Sequence, residues 1–203
     1  APGQSAAVAF TTLVATTLYL GPAGGYASPA AVVVAPNGEI VVAGSEAGSG
    51  GFLDWRIQVW NPELTTMVAT TVFAGSAGAD DQANAVVLDS AGRIIVAGDE
   101  WRPGNEFDWR MCVYNSSLSQ LLATTSYDDP AHLDNFARGL AVDEGGTIVV
   151  AGTLGTGLGG IVTSASVSQP DRSASCASLA KRKGTPLVSG FRTRKRSVYR
   201  PDS

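Results

Sequence analysis

The tripeptide Val-Ala-Gly stands at 42–44, 96–98 and 150–152, so one segment returns every 54 residues. Other pieces keep that spacing. Asp54-Trp55-Arg56 returns as Asp108-Trp109-Arg110, Asn61 as Asn115, and Ala15-Thr16-Thr17 as Ala69-Thr70-Thr71 and Ala123-Thr124-Thr125. Residues 10–63 laid over 64–117 without a gap give 24 identities in 54 positions, and 64–98 over 118–152 give 13 in 35. A period of this length constrains the fold more than any single motif. Each unit must be one supersecondary element that buries its apolar surface against the next copy.

Within one period the apolar pattern reads as four short strands separated by turn residues. In the middle copy they run from Asn84 to Asp89, Arg93 to Gly98, Phe107 to Asn115 and Leu121 to Tyr127. The third strand places Trp109, Met111 and Val113 on one face and Arg110, Cys112 and Tyr114 on the other, as its earlier copy does with Trp55, Ile57 and Val59 against Arg56, Gln58 and Trp60. One apolar and one mixed face predict a half-buried strand. The second strand, Ile94 to Gly98, is apolar on both faces, which predicts cover on each side. Asn37-Gly38, Ala91-Gly92 and Gly145-Gly146 fall between the first and second strands, where a tight hairpin needs residues that accept positive φ. Four antiparallel strands in about 50 residues, stacked on copies of themselves, make an all-β, β-propeller-like array of four-stranded blades. Leucine-rich, ankyrin and tetratricopeptide repeats are shorter and carry helices, for which no sustained 3.6-residue periodicity is present.

The string from Asp80-Asp81-Gln82-Ala83-Asn84 through Asp89-Ser90-Ala91-Gly92 to Val96-Ala97-Gly98 resembles the bacterial β-propeller repeat of the SBBP type. Units of that type read as an acidic pair, a valine-rich strand, Asp, a glycine turn, and an apolar strand ending in Gly. Asp134-Asn135-Phe136 through Gly152 is similar, and Asp54 to Pro62 is similar to the strand that follows. The resemblance covers about residues 10–155. It implies a blade fold and a secreted or cell-surface protein, and it is unspecific as to activity. The first unit departs from the pattern, with Tyr26 and Ala27 in place of the acidic pair, so any loop-ordering role of that pair is absent there.

The expected organisation is a repeat region over 1–160, with units at about 10–63, 64–117 and 118–160, followed by a basic tail over 161–203. Charge divides at the same place: residues 1–160 hold 5 Arg, no Lys and 16 acidic residues, whereas 161–203 hold 9 Lys and Arg and 2 Asp. Positions 162–164, where another Asp-Trp-Arg is due, are Val-Thr-Ser. The tail is therefore expected to be disordered or a non-native continuation. Leu13 to Leu20 is expected to be the last strand of one blade, followed by two whole blades and half of another. That array is incomplete, since a closed propeller takes four or more blades.

Trp55 and Trp109 lie on the apolar face and recur in register, which packing between blades demands; Gly44, Gly98 and Gly152 are structural on the same ground. An indole beside a guanidinium is also a common ligand surface, and Trp60 and Tyr114, on the opposite face, are the better contact candidates. The acidic loops Asp80-Asp81, Asp128-Asp129 and Asp134-Asn135 offer oxygen ligands of the kind calcium takes. No Asp-x-Asp-x-Asp-Gly loop accompanies them, and turn capping accounts for them better. His132 is the one histidine, and it reads as an exposed loop residue. With no Gly-x-Ser-x-Gly elbow beside it, no catalytic nucleophile is assigned. Gly155 to Gly160 lacks the spacing and following helix of a dinucleotide fingerprint.

No catalytic, cofactor-binding or metal residue, and no cofactor, is thus assigned. The composition, with 16% charged residues and 24 glycines, fits a strand-and-turn protein, and no run of 18 apolar residues predicts a membrane span. The expected function is a non-catalytic binding or scaffold module for a protein or carbohydrate, without nucleic acid, and prone to self-association through exposed strand edges. The alternative is a propeller-type hydrolase or lyase acting on polysaccharide through channel carboxylates. That chemistry needs acids that break the repeat, whereas Glu46 and Glu100 keep it.

Overall fold

The computed structural model describes residues 15–21, 25–104, 106–129 and 132–155. These form ten antiparallel strands and, among the described residues, no helix. The first sheet has the order β1 (Ala27–Val34), β2 (Ile40–Ala47), β3 (Leu53–Trp60), β4 (Met67–Phe73). The second repeats it with β5 (Asp81–Leu88), β6 (Ile94–Arg102), β7 (Glu106–Tyr114) and β8 (Leu121–Tyr127), and the third pairs β9 (Phe136–Val142) with β10 (Ile148–Thr153). The 54-residue period is a period of register as well: Pro29 faces Gly44, Ala83 faces Gly98, and Ala137 faces Gly152.

Local chemistry explains both corners of each unit. Gly38, Gly92 and Gly146 hold φ of +86°, +74° and +81° in the hairpins between first and second strands, where a Cβ would be strained. Asp89 Oδ1 accepts the Ala91 and Arg93 N–H groups at 2.9 Å each, and Asp143 Oδ1 accepts that of Thr147 at 2.7 Å. In the first unit Ala35 occupies this place, and Asn37 Oδ1 accepts the Glu39 N–H instead. Opposite the Val-Ala-Gly glycine the first strand bulges in every unit, leaving Ala30, Asn84 and Arg138 outside the pairing. The bulge brings backbone onto the glycine, so that a Cβ on Gly44, Gly98 or Gly152 would collide with the Ser28, Gln82 or Phe136 carbonyl oxygen.

The sheets bury their faces on one another. Val41, Ala43, Trp55, Ile57 and Val59 of the first sheet meet Val86, Ile94, Val96, Cys112 and Tyr114 of the second. The other face of the second sheet, with Ile95, Ala97, Trp109, Met111 and Val113, meets Ala137, Ile148 and Val150 of the third. Each interface carries the same hydrogen bond: Trp55 Nε1–H donates to the Asp99 carbonyl at 3.0 Å, and Trp109 Nε1–H to the Thr153 carbonyl at 3.3 Å.

Three expectations are revised. The mixed face of β7 is fully covered rather than half buried, because the first sheet packs on it, and Cys112 and Tyr114 are core residues. The described part of the segment expected to be a final strand, Ala15 to Leu20, has no strand pairing. The described sheets are open and form no closed ring, so what stands is an all-β stack of antiparallel sheets. The boundary at 160 and the tail over 161–203 lie outside the described residues.

Candidate functional site

By the repeat, the face of the first sheet with Arg56, Gln58 and Trp60 matches the face of the second with Arg110, Cys112 and Tyr114. The latter is buried under the first sheet, whereas the former borders a groove of about 480 Å³. Val32, Ile40, Val42, Trp60 and Leu64 give the groove apolar walls, and residues 15–19 close one side. The consequence shows at Val32, which is 64% exposed while its counterpart Val86 is 7% exposed.

Two polar features mark the groove. Trp60 Nε1–H donates to Gln58 Oε1 at 3.1 Å, and the Gln58 amide nitrogen is buried without an acceptor. An unmet buried donor costs about 1–3 kcal/mol, which an oxygen of a groove occupant would recover. Arg56 is held by Glu46, with Nε to Oε2 at 2.6 Å, and by Thr70 Oγ1 at 2.9 Å. Arg110 repeats this with Glu100 at 2.7 Å and Thr124 at 3.3 Å. Both glutamates are thereby ion-pair partners of the repeated arginine.

The segment across the groove is placed by the same repeat. The Tyr19 ring centroid lies 5.6 Å from the Arg56 guanidinium carbon, and the Phe73 centroid lies 5.6 Å from that of Arg110. Tyr19 and Phe73 are 54 positions apart. Tyr19 also donates its hydroxyl to Glu46 Oε2 at 2.8 Å. Residues 15–21 thus hold, against the first sheet, the place that β4 holds against the second.

Of the contact candidates, Trp60 lines the groove but is itself largely buried, 9% exposed. Tyr114 offers no surface, because the first sheet leaves it only 4% exposed. Trp55 and Trp109 bridge sheets, and Gly44, Gly98 and Gly152 admit the bulges. The acidic pairs do more than cap turns. Asp80 Oδ1 accepts the Leu53 N–H at 2.8 Å, and Asp134 Oδ1 accepts that of Phe107 at 3.0 Å, so each clasps the third strand of the preceding sheet. Asp81 and Asn135 accept the Trp101 and Gly155 N–H groups. Where the first unit has Tyr26 and Ala27, the Tyr26 carbonyl takes the matching Ala47 N–H at 2.8 Å. Sequence reading missed the clasp because its partners lie 27 positions away.

Asp99 joins the second and third sheets. Its oxygens accept the Ala137 N–H and the bulged Asn84 amide, both at 2.8 Å, and Arg138 Nη1 stands 3.5 Å away. Burial nevertheless pushes its carboxyl up to about 6, against the pull of Asn84, Arg138 and the Ala137 N–H. Burial does the same to Asp81, also to about 6. A folded-state value above the unfolded one means that the folded chain binds the extra proton. This stability is fully present below the unfolded value near 3.8 and is lost as pH rises through 6. A shift of this size corresponds to about 3 kcal/mol for a fully buried group. The melting temperature is expected to rise as pH falls from 7.5 to 5, and Asp99→Asn to flatten that slope. A melting temperature that falls over this range would contradict the assignment.

No protein-family model matches the chain, and no curated protein matches it. Among the described residues, no helix is long and apolar enough to cross a membrane.

Proposed function

We propose that the chain is a run of β-propeller blades acting as a non-catalytic binding or scaffold module, and that the groove face of its first sheet receives a further blade-like sheet of protein. The observation that carries this is the equivalence of Tyr19 on Arg56 with Phe73 on Arg110. The groove lies where, in the next interface, the first sheet covers the second. Apolar walls and a single unmet amide donor suit apolar strand side chains and one backbone carbonyl better than a hydroxyl-rich sugar. The resemblance of residues 80–98 and 134–152 to SBBP-type bacterial repeats supports the propeller reading and an extracellular or cell-surface setting.

Sedimentation velocity on the full chain tests it, with a second copy as the first available donor of a sheet. Concentration-dependent association is expected, and Val32→Glu, which places a charge on the open face without touching the core, is expected to abolish it. Two results would overturn the reading: a monomer at every soluble concentration, or association that Val32→Glu leaves intact. A glycan-array signal lost on Trp60→Ala, from a chain that stays monomeric, would instead make the groove a sugar site.

A further inference from the structure

The two interfaces between the described sheets repeat each other, so every sheet has a leading face and a receiving face. The leading face carries Val33, Val41 and Ala43 in the first sheet and Val87, Ile95 and Ala97 in the second, at a spacing of 54. Each set packs on the receiving face of the next sheet, where Ile94 and Val96, then Ile148 and Val150, lie buried. The same spacing puts Ala141, Val149 and Ala151 on the leading face of the third sheet. Strand alternation agrees, since Leu140, Val142, Ile148 and Val150 belong to the interface with the second sheet.

Among the described residues no sheet lies on that last leading face. Ile95 and Ala97 are 1% and 0% exposed, whereas Val149 and Ala151 are half-buried and Ala141, which faces Val149 across the strand pair, is exposed. The first sheet has the converse face, a receiving one with no leading face on it, where Val32, Ile40 and Val42 line the groove. The two open faces also match in their strands. Residues 15–21 already hold the outermost place over the groove, with Tyr19 on Arg56 as Phe73 is on Arg110. The groove therefore leaves room for the inner strands of a sheet, and the third sheet consists of a first and a second strand, β9 and β10.

We propose that a second copy of the chain docks its third sheet into the groove, head to tail, so that the leading face of one copy covers Val32, Ile40 and Val42 of the next. This rests on the reading of the groove as a sheet-docking face and adds which face arrives. The contact continues the two interfaces already present within the chain. It joins two different patches, so it is heterologous, and copies linked this way close into a ring or run on as an open chain.

Sedimentation velocity on two full-length variants, alone and mixed, tests it. Val32→Glu puts a charge in the receiving face and Ala141→Glu puts one in the leading face, and an unpaired charge is costly to bury in an apolar contact. Both positions are exposed, so both variants are expected to melt with the parent. The parent is expected to associate as its concentration rises, and each variant alone to stay monomeric. Mixed in equal amounts at the highest soluble concentration, the variants are expected to pair and to stop at two chains, because each keeps the face that the other has lost. Val149→Glu is expected to behave as Ala141→Glu does. If both leading-face variants associate like the parent while Val32→Glu does not, the head-to-tail contact is overturned and the groove reading stands. A mixture that stays monomeric overturns the contact equally. A parent that is monomeric at every soluble concentration overturns both.

Discussion

Replacing Trp55 by alanine is expected to lower stability by about 4 kcal/mol, the usual cost of emptying a large buried aromatic site. The side chain is fully buried between the first and second sheets, 5.0 Å from the Phe73 ring, and its N–H is bonded to the Asp99 carbonyl. Neither sheet can fill the space without sliding on the other, since β2 and β3 are already packed on both flanks. Trp55→Phe separates the two contributions: it keeps most of the apolar area and loses the hydrogen bond, so a cost of about 1 kcal/mol for that bond is expected. Chemical denaturation followed by circular dichroism reads both without relying on the fluorescence that the substitution removes. A loss below about 1 kcal/mol for Trp55→Ala would mean that the indole does not couple the sheets.

Gly98→Ala is expected to cost about 3 kcal/mol, as much as larger core changes, although it adds a single methyl group. The added Cβ would meet the Gln82 carbonyl oxygen and the Ala83 Cα, both backbone atoms of the bulged β5, and neither can turn aside as a side chain would. The bulge itself must shift, and it carries Asn84, which bonds both Asp99 and the Ala137 carbonyl of the third sheet. Gly92→Ala is the control. There the glycine has φ +74° and open space around it, so only the left-handed conformation is penalised, by about 1 kcal/mol. If the two substitutions cost the same, close approach at the bulge is not the reason for the glycine. Equal losses at Gly44, Gly98 and Gly152 are not expected, because only Gly98 lies in a sheet covered on both sides by described sheets.

The strands, their order and the hairpin glycines were legible in the sequence because the forces behind them are local. Alternation over β7, the paired apolar faces of β6, and glycine at 38, 92 and 146 each express a constraint that acts within a few residues. The structure extends β6 beyond the Val-Ala-Gly end to Arg102 and starts β5 at Asp81, since register continues past the apolar stretch once β7 supplies partners. The candidate sites were legible only in part. Trp60 was singled out and lies on the groove wall. Asp128, beside His132, was read as a turn cap, because its nearness to Glu106 depends on the β7–β8 pairing.

The sequence by itself determined the 54-residue period and the four-strand unit, because strand alternation and turn conformation are properties of short stretches of chain. Only the tertiary structure decided what each face does. Val86 and Val32 occupy the same place in successive units, yet one is core and the other stands 64% exposed on a groove. The difference is whether another sheet lies against that face, and burial comes from residues of a neighbouring sheet that no local pattern can register.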